Sequence, residues 1–374
     1  MVRSFLRNIR SLIDIHSLPR SERRLVFYCE GRNYWVHLQG LIRQILDMTN
    51  LHICFLSSSE NDPGLVFEHP NYKSFEIGEG FCRDWLFANI DADVLVMTMP
   101  DLHQYQVKKS SHSVHYVYVQ HSLVSLHMVY RPRAFEYYDT IFCAGPHHVK
   151  ELRAMEKRYG YRPKKVIEHG YARLDSIISN RNSRSLVATG RPSPNHVLLA
   201  PSWGKQGIIE CGLAFRIVGN LLTRGFKVTL RPHPQTLKFA RTEILQISKE
   251  FKHHPLFTIE DNVAGEESLH ASDLMVSDWS GAALDYALGL NKPVIFIDGP
   301  KKINDPDYER LGIVPLEIRI RDTVGMTVPA DCSVLPVDEC LRIDNSGLDL
   351  AAYVFNVGGA DEAGARAIVA IMNT

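Results

Sequence analysis

The chain lacks the features that would assign it to several common classes. Its seven cysteines (29, 54, 82, 143, 211, 332 and 340) include no Cys-x-x-Cys pair. Cys29, Cys54 and Cys143 lie in apolar runs, where cysteine behaves as a small hydrophobe, so a reducing compartment and no disulfide framework are expected. Net charge is also missing. Its 42 basic residues balance 42 acidic ones, so bulk electrostatics gives no reason to expect nucleic acid as a partner. No apolar run approaches the roughly 18 residues of a membrane-spanning helix. The first residues lack the apolar core of a signal peptide. The 17 histidines are scattered without the i, i+4 spacing of a helical zinc site, and no carboxylate cluster is read as a metal site; the expected metal site is none.

What is present is alternation. In the first half, Leu25–Cys29, His52–Leu56, Asp93–Met97, Val114–Val119, Thr140–Cys143 and Val166–Glu168 read as strands. Trp35–Met48, Gly80–Asn89 and His147–Arg158 read as helices between them. Residues 179–195, rich in Ser, Arg, Asn, Gly and Pro, break the pattern and read as an exposed linker. Beyond it the strands Val197–Ala200, Val228–Leu230, Phe257–Ile259, Leu274–Val276 and Val294–Ile297 alternate with helices at Ile208–Thr223, Leu237–Phe251, Glu266–Ala271 and Ala282–Leu290. Residues 301–345 show few clear periods, and Glu362–Met372 reads as a last helix. For 374 residues this predicts two α/β domains with parallel sheets. The expected division is 1–180, a linker at 181–195, 196–355, and a C-terminal helix at 356–374.

Four segments place polar residues directly after a buried strand: Gln120-His121-Ser122, the run 170–175 (GYARLD), Arg231-Pro232-His233-Pro234, and the run 277–281 (SDWSG). In open parallel sheets ligands bind beyond the carboxyl ends of the strands. The run 277–281 also opens a helix, whose unpaired N–H groups and dipole favour phosphate. Each segment has a plainer reading. Asp278 and Ser280 suit helix caps, and Arg-Pro-His-Pro suits a rigid turn. Their joint position at strand ends argues for a site.

These segments, with PSW at 201–203 and NKPVIFID at 291–298, resemble in order and spacing the CDP-glycerol glycerophosphotransferase family of teichoic-acid and capsule synthesis. The likeness runs over roughly residues 115–300. It implies a GT-B fold, two Rossmann-like domains whose parallel sheets face a central cleft, with a CDP-alcohol donor in the C-terminal domain. A polyol phosphate would pass to a hydroxyl of a cell-surface glycan or lipid-linked acceptor, releasing CMP. By the resemblance, His121 is the general base and His233 a second essential histidine near the donor phosphates. If protonated, the His233 ring would neutralise charge on the leaving CMP. Arg231, Ser277, Asp278, Ser280, Gly281 and Asp285 fall on the donor side, and Arg173, Asp175 and Trp203 on the cleft. The chain departs from the family pattern after His121, after Trp203 and at Trp279-Ser280-Gly281, so a different alcohol or sugar stays open.

Phosphoryl transfer asks mainly for in-line placement and charge stabilisation. No tightly bound cofactor is expected, and any magnesium would arrive with the nucleotide. Two other readings stand beside this one: a GT-B glycosyltransferase or epimerase using a nucleotide sugar, and a non-catalytic nucleotide-binding scaffold. The protein is expected in the cytoplasm, peripheral on the inner face of the membrane. For that attachment the candidate is residues 1–17, where Phe5, Ile9, Leu12 and Ile13 are expected on one helical face and Arg3, Arg7 and Arg10 elsewhere. The plainer reading is a helix packed on its own domain.

Overall fold

The computed structural model describes residues 2–105, 107–185, 195–262, 265–332 and 334–374. They divide into two compact units, the first made of 1–175, 304–313 and 351–374, the second of 176–303 and 314–350.

The first unit is built on seven parallel strands: β1 (Leu25–Cys29), β2 (Ile53–Ser57), β3 (Tyr72–Glu76), β4 (Val94–Met97), β5 (His115–Val119), β6 (Thr140–Cys143) and β7 (Lys165–Glu168). Their order is β3-β2-β1-β4-β5-β6-β7, with Val26 beside Cys54 on one side and Leu95 on the other. Alternate residues of β1 enter two different cores. Val26 and Tyr28 pack with Leu56, Leu95 and Tyr118, while Leu25, Phe27 and Cys29 pack with Phe55, Val96 and Ile42. Both faces are therefore covered, which is why these strands read as continuous apolar runs. β3 (YKSFE) is the strand missing from the sequence reading: it lies at the sheet edge, where only Tyr72 is buried. The C-terminal helix Ala360–Met372 belongs to this unit, with Ala365, Ile368 and Ile371 in the core of the helix Gln39–Met48.

The second unit carries six parallel strands: β8 (His196–Leu199), β9 (Lys227–Leu230), β10 (Phe257–Ile259), β11 (Leu274–Ser277), β12 (Val294–Asp298) and β13 (Gly325–Pro329), in the order β10-β9-β8-β11-β12-β13. β13 falls in the stretch without clear period. Its first residue is glycine because a Cβ there would sit 1.8 Å from the Val294 carbonyl oxygen, an approach no side chain permits. In both sheets the strand order reverses direction beside the first strand, giving switch points at β1/β4 and β8/β11.

Two expectations change. Residues 179–185, read as the start of the linker, are the last turns of the helix Ala172–Ser185, while 186–194 lie outside the described residues. The N-terminal helix Val2–Ser17 buries Leu12 and Ile15, but Phe5 is 48% and Ile13 60% exposed. The inward face is thus 8, 11, 12 and 15, because Leu12 and Ile15 join the core beneath the helix Phe81–Asn89.

Candidate active site

In the second unit the turn after β11 is fastened to the turn after β8. Ser277 Oγ donates to the Ala200 carbonyl at 2.7 Å, and Asp278 Oδ1 accepts the N–H groups of Ser202 and Trp279, each at 2.7 Å. Burial raises the Asp278 carboxyl above its ordinary range, against these bonds, which favour its charged form. Ser280 caps the helix Gly281–Leu290 by accepting from the Ala282 N–H at 3.3 Å. The run 277–281 thus divides its labour. Ser277 and Asp278 hold the switch point together, and Ser280 with Gly281 begins the helix whose N-terminus it frames. Arg321 braces the turn from within: its guanidinium lies 3.4 Å from the centre of the Trp279 ring and donates to the carbonyls of Asp278 and Glu317 at 2.9 and 3.1 Å. Burial pulls its pKa down to about 10.

Other expected donor residues are engaged by protein. Arg231 is buried and donates to the Gly265 carbonyl at 2.9 Å, with Ser268 Oγ at 3.5 Å, so it organises the loop ahead of the helix Glu267–Ala271. Asp285 is buried along the helix that Ser280 caps. Lys292, of the NKP step, donates to the carbonyls of His270 and Ser272 at 2.7 and 2.6 Å, at the C-terminal end of the helix Glu267–Ala271.

His233 caps the helix Pro234–Phe239, its Nδ1 accepting the Gln235 N–H at 3.1 Å. Its ring stacks on Trp203, which is 38% exposed, at 5.9 Å between centroids and 27° between planes. Burial first, then the charge of Lys302, pull the imidazole down to about 3. These surroundings favour the neutral ring over the protonated one, with Nδ1 accepting and the hydrogen on Nε2, a donor without charge.

In the first unit His121 stands two residues past β5. Its Nδ1 is 3.2 Å from Tyr118 Oη, which in turn is 3.5 Å from Tyr130 Oη, and Tyr171 Oη donates to the His121 carbonyl at 3.1 Å. Tyr34 and Tyr130 meet the ring edge-on at 5.5 and 6.2 Å. The following loop is held by the helix Pro146–Tyr159: His147 and His148 bond the carbonyls of Leu123 and Val124, each at 2.9 Å, and Glu151 accepts the Leu126 N–H at 2.7 Å. His37 stacks on Tyr171, and burial, then His121 and Arg173, hold its pKa well below the ordinary histidine value. Arg173 is thus in this cluster. Asp175 has a structural task, accepting the N–H groups of Gly358 and Ala360 at 2.7 and 3.0 Å and so anchoring the C-terminal helix. Gly170 before it has φ of 99°, and a Cβ there would meet the Phe355 carbonyl oxygen at 2.5 Å.

Sequence reading missed Glu30, Lys302 and Arg321. Glu30 directly follows β1 at the first unit's switch point. Burial raises it to about 7, Arg83 opposing, and its charge is felt at the hydroxyls of Tyr28, Tyr34 and Tyr118. The rule of a polar residue after a buried strand would have found it. Lys302 and Arg321 lie in the stretch without period, where no local signal marks them. Two Asp-x-Asp steps also passed unremarked. Asp91 and Asp93 pair with Arg20, Arg23 and Arg24, and Asp305 accepts from Tyr159 Oη, so both are tied into the fold. Among the described residues no group of three or more His, Cys, Asp or Glu is placed to hold a metal ion.

The wall teichoic acid polymerase TagF, in a structure soaked with CDPG, is similar over 100% of this chain and 98% of its own at 13% identity and a TM-score of 0.57. The UDP-GlcNAc 2-epimerase of Methanocaldococcus jannaschii is similar over 94% and 99% at 14% identity and 0.59, and the MnaA–UDP structure from S. aureus over 94% and 97% at 10% and 0.60. These likenesses establish an α/β, GT-B-like fold. No curated protein matches the chain in sequence. The family described as CDP-glycerol:poly(glycerophosphate) glycerophosphotransferase matches residues 22–299, about three quarters of the chain, a span that includes His121, His233 and the run 277–281. The chain belongs to this family and is a glycerophosphotransferase, an enzyme that moves a polyol phosphate from a CDP-alcohol.

Proposed function

We propose that the second unit binds CDP-glycerol by its diphosphate and that His121 takes the proton from the acceptor, a hydroxyl of a cell-surface glycan. The acceptor oxygen attacks the phosphorus that bears glycerol, the bridging P–O bond breaks, and CMP leaves with that electron pair. The acceptor proton passes to His121 Nε2. For that nitrogen to accept, the ring hydrogen must sit on Nδ1, which then donates to Tyr118 Oη while Tyr118 donates onward to Tyr130. His233 Nε2–H and the N-terminus framed by Ser280 and Gly281 supply donors to the phosphates; preorganised donors of this kind are worth about 3–4 kcal/mol each. Any magnesium arrives with the donor.

The observation that carries this reading is the fastening of Ser202 and Trp279 onto Asp278, which fixes the β11 turn and its helix at the β8/β11 switch point. Product analysis tests it. Purified protein given CDP-glycerol and a glycan acceptor should release CMP and transfer glycerol phosphate. A nucleoside diphosphate released from a UDP-sugar with sugar transferred would establish the glycosyltransferase reading, and no turnover with any donor would favour the scaffold.

We further propose peripheral attachment to the inner membrane face. Among the described residues no helix is long and apolar enough to cross a membrane. Phe5, Leu6 and Ile13 on the first helix and Phe81 and Trp85 on the helix Phe81–Asn89 are exposed, and a His16–Trp85 ring contact at 5.2 Å joins the two helices. Arg10 is largely exposed and 3.9 Å from Asp14, and Arg7 is paired with Glu60 and Glu76, so both contribute less than their charge implies. Apolar burial thus outweighs charge in this attachment. Because Leu12 and Ile15 are core residues, deletion of 1–17 would disturb the fold. Leu6→Ser with Ile13→Ser and Trp85→Ser is the sounder test, and should abolish co-sedimentation with anionic vesicles while CDP-glycerol binding persists. Undiminished pelleting would remove this surface from consideration.

A further inference from the structure

We propose that Lys302 is a cation for the donor's diphosphate, resting on the Trp203 ring until the nucleotide binds. This rests on reading the second unit as the donor site.

Lys302 lies four residues beyond the carboxyl end of β12, next to the switch point at β8/β11. Its Nζ is 5.1 Å from the centre of the Trp203 ring, whose other contact is the stacked imidazole of His233. The charge of Lys302 is felt at His233 and at Asp278. Thus one ammonium lies against residues supplied by the ends of β8, β9 and β11.

The neighbouring cations are committed to backbone. Arg231 holds Gly265, Arg321 holds Asp278 and Glu317 through their carbonyls, and Lys292 holds His270 and Ser272. Lys302 makes no hydrogen bond and no ion pair among the described residues; its ammonium lies over the Trp203 ring and feels Asp278 without pairing with it. Asp278, the nearest carboxylate by its effect, already uses Oδ1 to accept two N–H groups. Burial lowers the ammonium's pKa, opposed by Asp278. A half-buried ammonium without an anion is a poorly compensated charge. A diphosphate supplies the missing partner through charge-assisted bonds, which are stronger than a cation–π contact. A helix N-terminus and a neutral His233 offer dipoles; Lys302 adds the full positive charge that the diphosphate needs.

Calorimetry of the full chain with CDP and with cytidine tests this. Lys302→Met should weaken CDP by about 10- to 100-fold, the scale of a lost bond to a charged group, and leave any cytidine affinity unchanged. Lys302→Arg should recover most of the loss, and salt should weaken CDP binding less in the Met variant than in the parent. If the Met variant does not retain the parent's melting temperature, Lys302→Gln replaces it. Parent and Met variant binding CDP equally would overturn the role of Lys302 while leaving the donor site standing. A parent that binds neither CDP nor CDP-glycerol would overturn both.

Discussion

His121 and His233 each stand just past a parallel strand, one after β5 and the other after β9, on opposite sides of their sheets' switch points, and their surroundings give them different chemistry. His121 is ringed by tyrosines, and its Nδ1 faces a hydroxyl that can donate or accept. His233 has its Nδ1 fixed by a backbone N–H, one face on Trp203, and a lysine charge nearby. The first ring can take a proton at Nε2 because Tyr118 Oη can accept from Nδ1–H in both states. The second cannot, because a backbone N–H only donates and burial beside a cation disfavours the imidazolium. Two histidines at strand ends therefore become a proton acceptor in one unit and a neutral hydrogen-bond donor in the other.

The sharpest way to break this comparison is to remove each ring. His121→Ala should lower kcat by about 100-fold or more and leave CDP-glycerol affinity unchanged, whereas His233→Ala should weaken donor binding as well. Their pH profiles should differ too. With His233 neutral above about 3, its loss should not alter the shape of kcat against pH between about pH 5 and 9, while loss of His121 should remove the acidic limb. If His233→Ala removes that limb instead, the assignments are reversed.

Glu30 tests the first unit's switch point through stability. Its folded value of about 7 lies above its ordinary 4.5, so the native state binds more protons between these values. Its contribution is fully present below pH 4.5 and is lost as pH rises towards 7, by at most about 3 kcal/mol. Denaturant titrations should show this slope in the parent and a flatter one in Glu30→Gln. An unchanged slope would mean that the carboxyl is not buried in solution.

The smallest effect is expected at Tyr118. Tyr118→Phe removes the acceptor for His121 Nδ1–H, which supports both the required tautomer and the protonated ring. kcat should fall by about 10-fold with KM for donor little changed, and the acidic limb should move to lower pH. A loss of the same size with an unmoved limb would show that Tyr118 only packs.

Much of the fold was legible because parallel strands covered on both faces are uniformly apolar, as in Leu25–Cys29 and Val294–Ile297. The strands missed were β3 and β13, each at a sheet edge that tolerates polar residues, β13 burying only Gly325 and Val328. Position after a strand was legible for His121, His233 and Asp278, since the chain itself delivers those residues to the carboxyl end of the sheet. Proximity to a strand end did not settle which atoms remain available. Arg231 carries a charge suited to a diphosphate, yet a protein carbonyl engages it, and Asp278 spends its Oδ1 on two backbone N–H groups. Lys302 and Arg321 reach the same turn from a stretch with no periodicity of its own, and only long-range packing puts them there. The sequence by itself determined the strands, their parallel class and the polar residues at their ends, because those follow from local chain geometry and burial pattern. The tertiary structure alone decided protonation and partnership, because desolvation and hydrogen bonding depend on neighbours distant along the chain.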